Sequence, residues 1–143
     1  MTDTSSSHEI LALDVGQVRI GLARASSTVR LAEPLQTLTV SETIYQDIAA
    51  ICAERQVGQL VVGLPRNLNG QETAQTKAVQ SFVEGLQAVV RLPIAWQDEA
   101  VTSRQAEAEL NRRGKPYERG DIDALAACYI LDDYLRTLGN GKL

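Results

Sequence analysis

One histidine, two cysteines, one tryptophan and one phenylalanine are all that 143 residues hold of these side chains. The histidine, His8, stands in the polar opening stretch MTDTSSSHE, which leaves no Ser/His or Cys/His nucleophile system within reach. Cys52 and Cys128 lie far apart in apolar helical patterns, so a C-x-x-C zinc or redox motif and a disulfide framework are both excluded, and two reduced core thiols are expected. Apolar runs of membrane-spanning length are missing, and the opening residues lack the apolar stretch of a secretory signal. Basic excess is missing too. A net charge of −4 argues against holding nucleic acid mainly through bulk electrostatics, which needs a face that releases several counterions. A local strip of Arg112, Arg113, Lys115 and Arg119 reads either as a phosphate contact or as a helix end favoured by cations.

What is present suits one compact domain. Apolar residues make up 44% of the chain and charged residues 22%, and this length supports a single core. Residues 1–8 read as a disordered tail, 9–138 as the domain and 139–143 as a frayed end. Ile10 to Leu13 form a short apolar strand, and RIGLARA returns antiparallel as the second arm of a hairpin turning at Gly16. PLQTLTV is a third extended piece. Ser41 then caps a helix carrying Ile44, Ile48, Ile51 and Cys52, which stops near Gly58. QLVVGLP is a central parallel strand. From Thr73 a long amphipathic helix presents Ala74, Ala78, Phe82, Val83 and Leu86. LPIAWQDEA supplies the next strand, and Thr102 with Gln105 fits a capping box for a helix ending near Gly114. The last helix, in GDIDALAACYILDDYLRTL, buries Ile122, Leu125, Ala126, Tyr129 and Ile130. The order predicts a mixed-sheet α/β domain: three antiparallel strands, then parallel strands, with helices on both faces.

Three acids stand where strands and helix ends converge in such folds: Asp14 ends the first strand, Glu99 follows IAWQ, and Asp123 opens the last helix. Helical spacing aligns Asp123 with Ala126, Ala127 and Ile130, so it points at the sheet. Asp121 aligns with Leu125, Cys128 and Asp132 and reads as a helix N-cap. Strand alternation puts Asp98 and Glu99 on opposite faces without telling which faces Asp14. Were Asp14, Glu99 and Asp123 to meet within ~4 Å, each like-charge pair would cost on the order of 4 kcal/mol at an effective dielectric of 20. Protons or cations must then intervene, and hard oxygen ligands without His or Cys suit Mg²⁺ or Mn²⁺. Such ions are the apparatus of phosphodiester hydrolysis.

LALDVGQVRIGLA, VVGLPRNLNGQE, DEAVTSRQAEAEL and DIDALAACYIL resemble, in order and spacing, the four signature segments of the YqgF family, also called RuvX, of pre-16S ribosomal RNA nucleases and Holliday junction resolvase-like proteins. The resemblance covers about Ile10 to Leu135. It implies a ribonuclease H-like fold, Mg²⁺-dependent nuclease chemistry, and a bacterial cytoplasmic role in trimming the 5′ end of the 16S ribosomal RNA precursor. Carried over residue by residue, it puts the catalytic, metal-holding set on Asp14, Glu99 and Asp123. It also maps the family's GLP loop to Gly63, Leu64 and Pro65, beside a substrate groove or as a plain strand-ending turn. The family's Asp-Glu-Arg is here Asp98, Glu99 and Ala100, and Arg104, about one helical turn on, is expected to supply the missing phosphate contact. Arg19 matches the family's RIG pattern, to touch the scissile strand or to sit on a hairpin surface.

Other readings compete. Resolution of branched DNA would normally need a symmetric dimer, and the sequence allows monomer or homodimer. A noncatalytic RNA-binding module would tolerate loss of the three acids. Phosphate transfer by an actin-like ATPase, whose phosphate loop resembles DVG, needs two such domains where this chain holds one.

Overall fold

The computed structural model describes residues 7–65, 71–99, 108–109, 111–112, 114 and 119–140. The elements are β1 (Glu9–Val15), β2 (Arg19–Ser26), β3 (Glu33–Thr39), α1 (Ile44–Glu54), β4 (Val57–Pro65), α2 (Ala74–Gln87), β5 (Ile94–Glu99) and α3 (Arg119–Asn140). Residues 108–109 and 111–112 are helical, where a helix ending near Gly114 is expected; its capping pair, Thr102 and Gln105, lies outside the described residues.

The five strands form one sheet in the order β3-β2-β1-β4-β5. β1 pairs antiparallel with β2 and parallel with β4, β2 pairs antiparallel with β3, and β4 pairs parallel with β5. Because strand side chains alternate, each apolar run serves two cores. Leu11, Leu13, Ile20, Leu22, Leu60 and Val62 pack with α1 and α2 on one face. Ile10, Ala12, Ala23, Ala25 and Val61 pack with Ala127, Ile130, Leu131 and Leu135 of α3 on the other. The second face is built of smaller residues, which lets α3 sit close to the sheet.

α3 runs across the sheet from β3 to β5. Gly120 lies against Thr37 of β3, whose hydroxyl donates to the Gly120 carbonyl at 2.5 Å; Asp123 lies over Gly21 of β2 and Ile130 over Gly63 of β4. Asp133 then meets Glu99 of β5. From Gly120 to Asp133 a helix rises roughly 20 Å, close to four strand spacings.

Several local expectations shift. Ser41 is not the N-cap of α1: its hydroxyl accepts from the Thr43 N–H in a turn, and Thr43 occupies the cap position without a side-chain cap bond. α1 ends at Glu54, well before Gly58, because Gln56 takes the left-handed conformation (φ 54°) that stops the helix. Gly58 belongs to β4. In α2 the buried stripe is Thr76, Val79, Val83 and Leu86, so Ala74 and Ala78 are exposed and Phe82 is half-buried. The register follows from the cap: Thr73 and Thr76 cap each other reciprocally, and the Thr76 hydroxyl donates to the Pro65 carbonyl, which turns Thr76 inward. On α3, Ile122 and Tyr129 are half-buried, while Ala124, Ala127 and Leu131 join the core. Gly16 does mark the hairpin turn, donating to the Arg19 carbonyl at 3.0 Å.

The far end of the sheet is held by charge. Burial alone would push Glu9 up, but Arg24 and Arg55 donate to its Oε2 at 2.7 and 2.9 Å and hold its carboxyl below the usual range.

Candidate active site

Asp14 shares its face of β1 with Ile10 and Ala12, so it points toward α3. Its cross-strand partner is Gly21. A Cβ on Gly21 would run into the backbone carbonyl of Asp123, so the bare glycine lets α3 settle and brings the fifth residue of that helix beside Asp14. Arg19, two residues before Gly21 on the same face, donates from Nε to Asp123 Oδ2 at 2.5 Å. Among the described residues no basic side chain pairs with Asp14. Burial, and then the negative charge of Asp123, push its carboxyl up to about 6. The opening apolar strand thus carries, one residue before its end, an acid with an acidic neighbour.

Glu99 lies on the same face of the sheet as Asp14. Ile94 packs into the α1/α2 core and Ala95 into the α3 core, so alternation sends Glu99 toward α3 and Asp98 away from it. The expected gathering of Asp14, Glu99 and Asp123 is nevertheless not what the structure shows. Glu99 turns to Asp133, and burial together with that neighbour's hydrogen bond and charge pushes it up to about 8, against smaller opposing effects of Gln97 and Arg136. Asp133 is ten residues along α3 from Asp123, which is about 15 Å of helix. The crossing direction of α3 therefore separates the two acids' neighbourhoods. Among the described residues no group of three or more His, Cys, Asp or Glu could hold a metal ion.

Other sequence-predicted residues fall as follows. Gly63 is buried within β4 under Ile130, where a side chain would collide, so its position serves helix packing. β4 runs on to Pro65, whose carbonyl anchors Thr76, so GLP is strand and not a turn. Arg104 and Ala100 lie outside the described residues. Asp121 is exposed in the first turn of α3, which begins two residues earlier, at Arg119, so Asp121 is not the N-cap. Cys52 and Cys128 are free thiols.

A cleft of about 710 Å³ opens at this end of the sheet. Its lining includes Arg19 and Asp123, the hairpin residues Gln17 and Val18, and Ala78 and Phe82 of α2. Sequence reasoning missed this use of α2: Ala74 and Ala78 fit the apolar period, and only the Thr73–Thr76 cap reveals the rotation. It also missed Asp133, whose signal is an acid three residues before Arg136, the partner to which it is bonded.

The strand order, with helices on both faces and Asp14 near the carboxyl end of β1, is that of a ribonuclease H-like fold. Two solved structures share the fold. T. thermophilus RuvC in complex with a Holliday junction substrate matches with a TM-score of 0.57 at 16% identity, over 94% of this chain and 97% of that one. Fowlpox virus resolvase in complex with Holliday junction DNA matches with a TM-score of 0.54 at 11% identity, over 91% and 98%. The chain belongs to the RuvX family, described as Holliday junction resolvase, whose model matches residues 8–137. Relatives named "Putative pre-16S rRNA nuclease" include that of Chloroflexus aggregans, 43% identical over 88% of this chain and 92% of its own, and that of Roseiflexus sp. RS-1, 38% identical over 92% and 96%. The family is one of nucleases.

Proposed function

We propose that this chain is a metal-dependent endonuclease that hydrolyses phosphodiester bonds in the 16S ribosomal RNA precursor, trimming its 5′ end in the cytoplasm. The observation that carries the reading is Asp14: a buried carboxylate with no cationic partner among the described residues, set beside Asp123. The substrate follows the name carried by the relatives.

The donor set suits Mg²⁺ or Mn²⁺, because these ions take hard oxygens and bind through one or two carboxylates plus waters and substrate phosphate. Asp14 and Asp123 would hold the ion. Glu99, on the same face two strands across and two residues along from Asp14, would complete the set if it turned from Asp133 toward β1. When bound, the ion lowers the pKa of its water and steadies the leaving oxygen. The chain's own groups do the rest. Asp14 is ionised once the pH passes about 6 and can then accept a cation. The Arg19 guanidinium, a fork suited to carboxylate or phosphate, exchanges its bond to Asp123 for the scissile strand's phosphate. Arg104 supplies a second phosphate contact, while Gly63 and Pro65 fix the strand end that borders the groove.

The test compares wild type with Asp14→Asn on ribosomal RNA precursor and on a four-way DNA junction, with Mg²⁺ and with chelator. Loss of cutting by at least 100-fold in the variant and in chelator, with the circular dichroism spectrum unchanged, is expected. Equal activity of the variant would overturn the site. Preferential cutting of the junction would favour the second reading, a Holliday junction resolvase, which the family description supports; a dimer in sedimentation would accompany it.

A further inference from the structure

We propose that the cleft beside Arg19 and Asp123 is a subsite for one unpaired nucleobase of the substrate strand, next to the bond that is cut. The inference rests on the nuclease reading above and adds the state the strand must be in. The cleft is continuous with the acidic site, since Arg19 and Asp123 line it, and its volume of about 710 Å³ accommodates a nucleotide. Beside Arg19 and Asp123 its lining suits a base: apolar side chains of the hairpin and α2 together with two uncharged amides, Gln17 and Gln75. Val18, in the hairpin turn, lines the cleft and is 63% exposed, so its side chain is free to meet a ligand. Phe82 of α2 also lines the cleft and is held by Tyr45, the two rings 5.0 Å apart at 51° and the Tyr45 hydroxyl donating to the Phe82 carbonyl at 2.9 Å. Ala78, one turn before Phe82 on α2, contributes only a methyl group to the lining. Gln17 and Gln75 each carry a donor and an acceptor that can meet a base edge.

A paired base cannot enter, because its edge is engaged and its faces are stacked. An unpaired base can be splayed out, stacked on an aromatic ring and read at its edge, as in single-strand RNA recognition. With Arg19 on the phosphate and the base in the cleft, the strand is fixed on both sides of one sugar. The substrate is therefore a single-stranded segment, not continuous duplex.

The experiment places 2-aminopurine in turn at the two nucleotides flanking the scissile phosphate of a short RNA and binds each probe, in Mg²⁺, to Glu99→Gln protein, which keeps Asp14 and Asp123 and is expected to cut slowly. At one position the fluorescence should rise several-fold, and Ala78→Phe in the same background should abolish the rise by filling the cleft. In cleavage by otherwise wild-type protein, an abasic nucleotide at that position should raise KM about tenfold. Ala78→Phe should raise KM for the intact strand as much, with no further loss on the abasic strand. No rise at either position, an equal rise with fully paired RNA, or equal KM for abasic and intact strands would overturn the subsite. If wild type cuts no RNA at all, the nuclease reading falls, while the fluorescence still decides whether a base enters the cleft.

Discussion

At Asp14 the fold holds a carboxyl that keeps its proton until the pH passes about 6, against an ordinary value of 3.8. A pKa raised in the folded state means stability that is complete below the unfolded value and lost as the pH climbs through the folded one, since the native state binds more protons between the two. Asp14 therefore weakens the fold progressively from about pH 4 to pH 6, by roughly 2–3 kcal/mol in all. Glu99, pushed up to about 8, extends the decline to higher pH. The consequence is a trade between stability and function at one residue. Asp14→Asn removes the buried charge and keeps the shape, so in chelator at pH 8 its Tm should exceed that of wild type by about 5 °C, given that 1 kcal/mol shifts Tm by roughly 2–4 °C at about this size. At pH 4 the two proteins should melt together. Thermal melts at both pH values check this, and a variant less stable than wild type at pH 8 would contradict the burial argument.

Among the elements, α3 decides the site, and it does so through glycines. Gly21 receives the Asp123 carbonyl where any Cβ would collide with backbone, and backbone cannot rotate aside. Gly21→Ala should lift the first turns of α3 and cost about 3 kcal/mol, toward the upper end of overpacking effects, with loss of the Asp14–Asp123 proximity and of cutting. Gly120→Ala, in the same helix, meets Thr37 only at 3.6 Å and should be neutral or stabilising by up to about 1 kcal/mol. Denaturant unfolding of the pair separates close approach from helix propensity. This contrast also shows what the sequence made legible. The apolar run ending at Asp14 and the helical spacing of Asp123 both pointed toward the sheet, because periodicity reports which side of an element is buried. Periodicity does not report the angle at which a helix crosses, which depends on where small residues on two non-neighbouring strands, Gly21 and Gly63, leave room. Glu99 was thus placed at the end of a strand, as the structure has it, while its neighbour Asp133 went unseen. In α2 the error was a rotation of the stripe, caused by a polar residue, Thr76, being buried to serve a cap.

For the whole molecule, a net charge of −4 has to be reconciled with a polyanionic partner. Several of the described cations are already committed: Arg24 and Arg55 to Glu9, Arg136 to Asp132 and Asp133, Arg19 to Asp123. Uptake of a divalent cation by Asp14 and Asp123 would change this balance twice, once by cancelling acidic charge at the mouth of the cleft and once by releasing Arg19 for phosphate. Affinity for RNA should accordingly depend on the ion more than on bulk salt. Binding of a short single-stranded RNA to protein carrying Glu99→Gln, chosen to slow cutting while keeping Asp14 and Asp123, should weaken at least tenfold when Mg²⁺ is replaced by chelator. In constant Mg²⁺ the slope of log K against log salt should be shallow, about −2, as expected for roughly three phosphate contacts on a single strand. A steep slope near −6 with no response to chelator would mean that a basic surface outside the cleft carries the nucleic acid, and the acidic site would lose its role in binding.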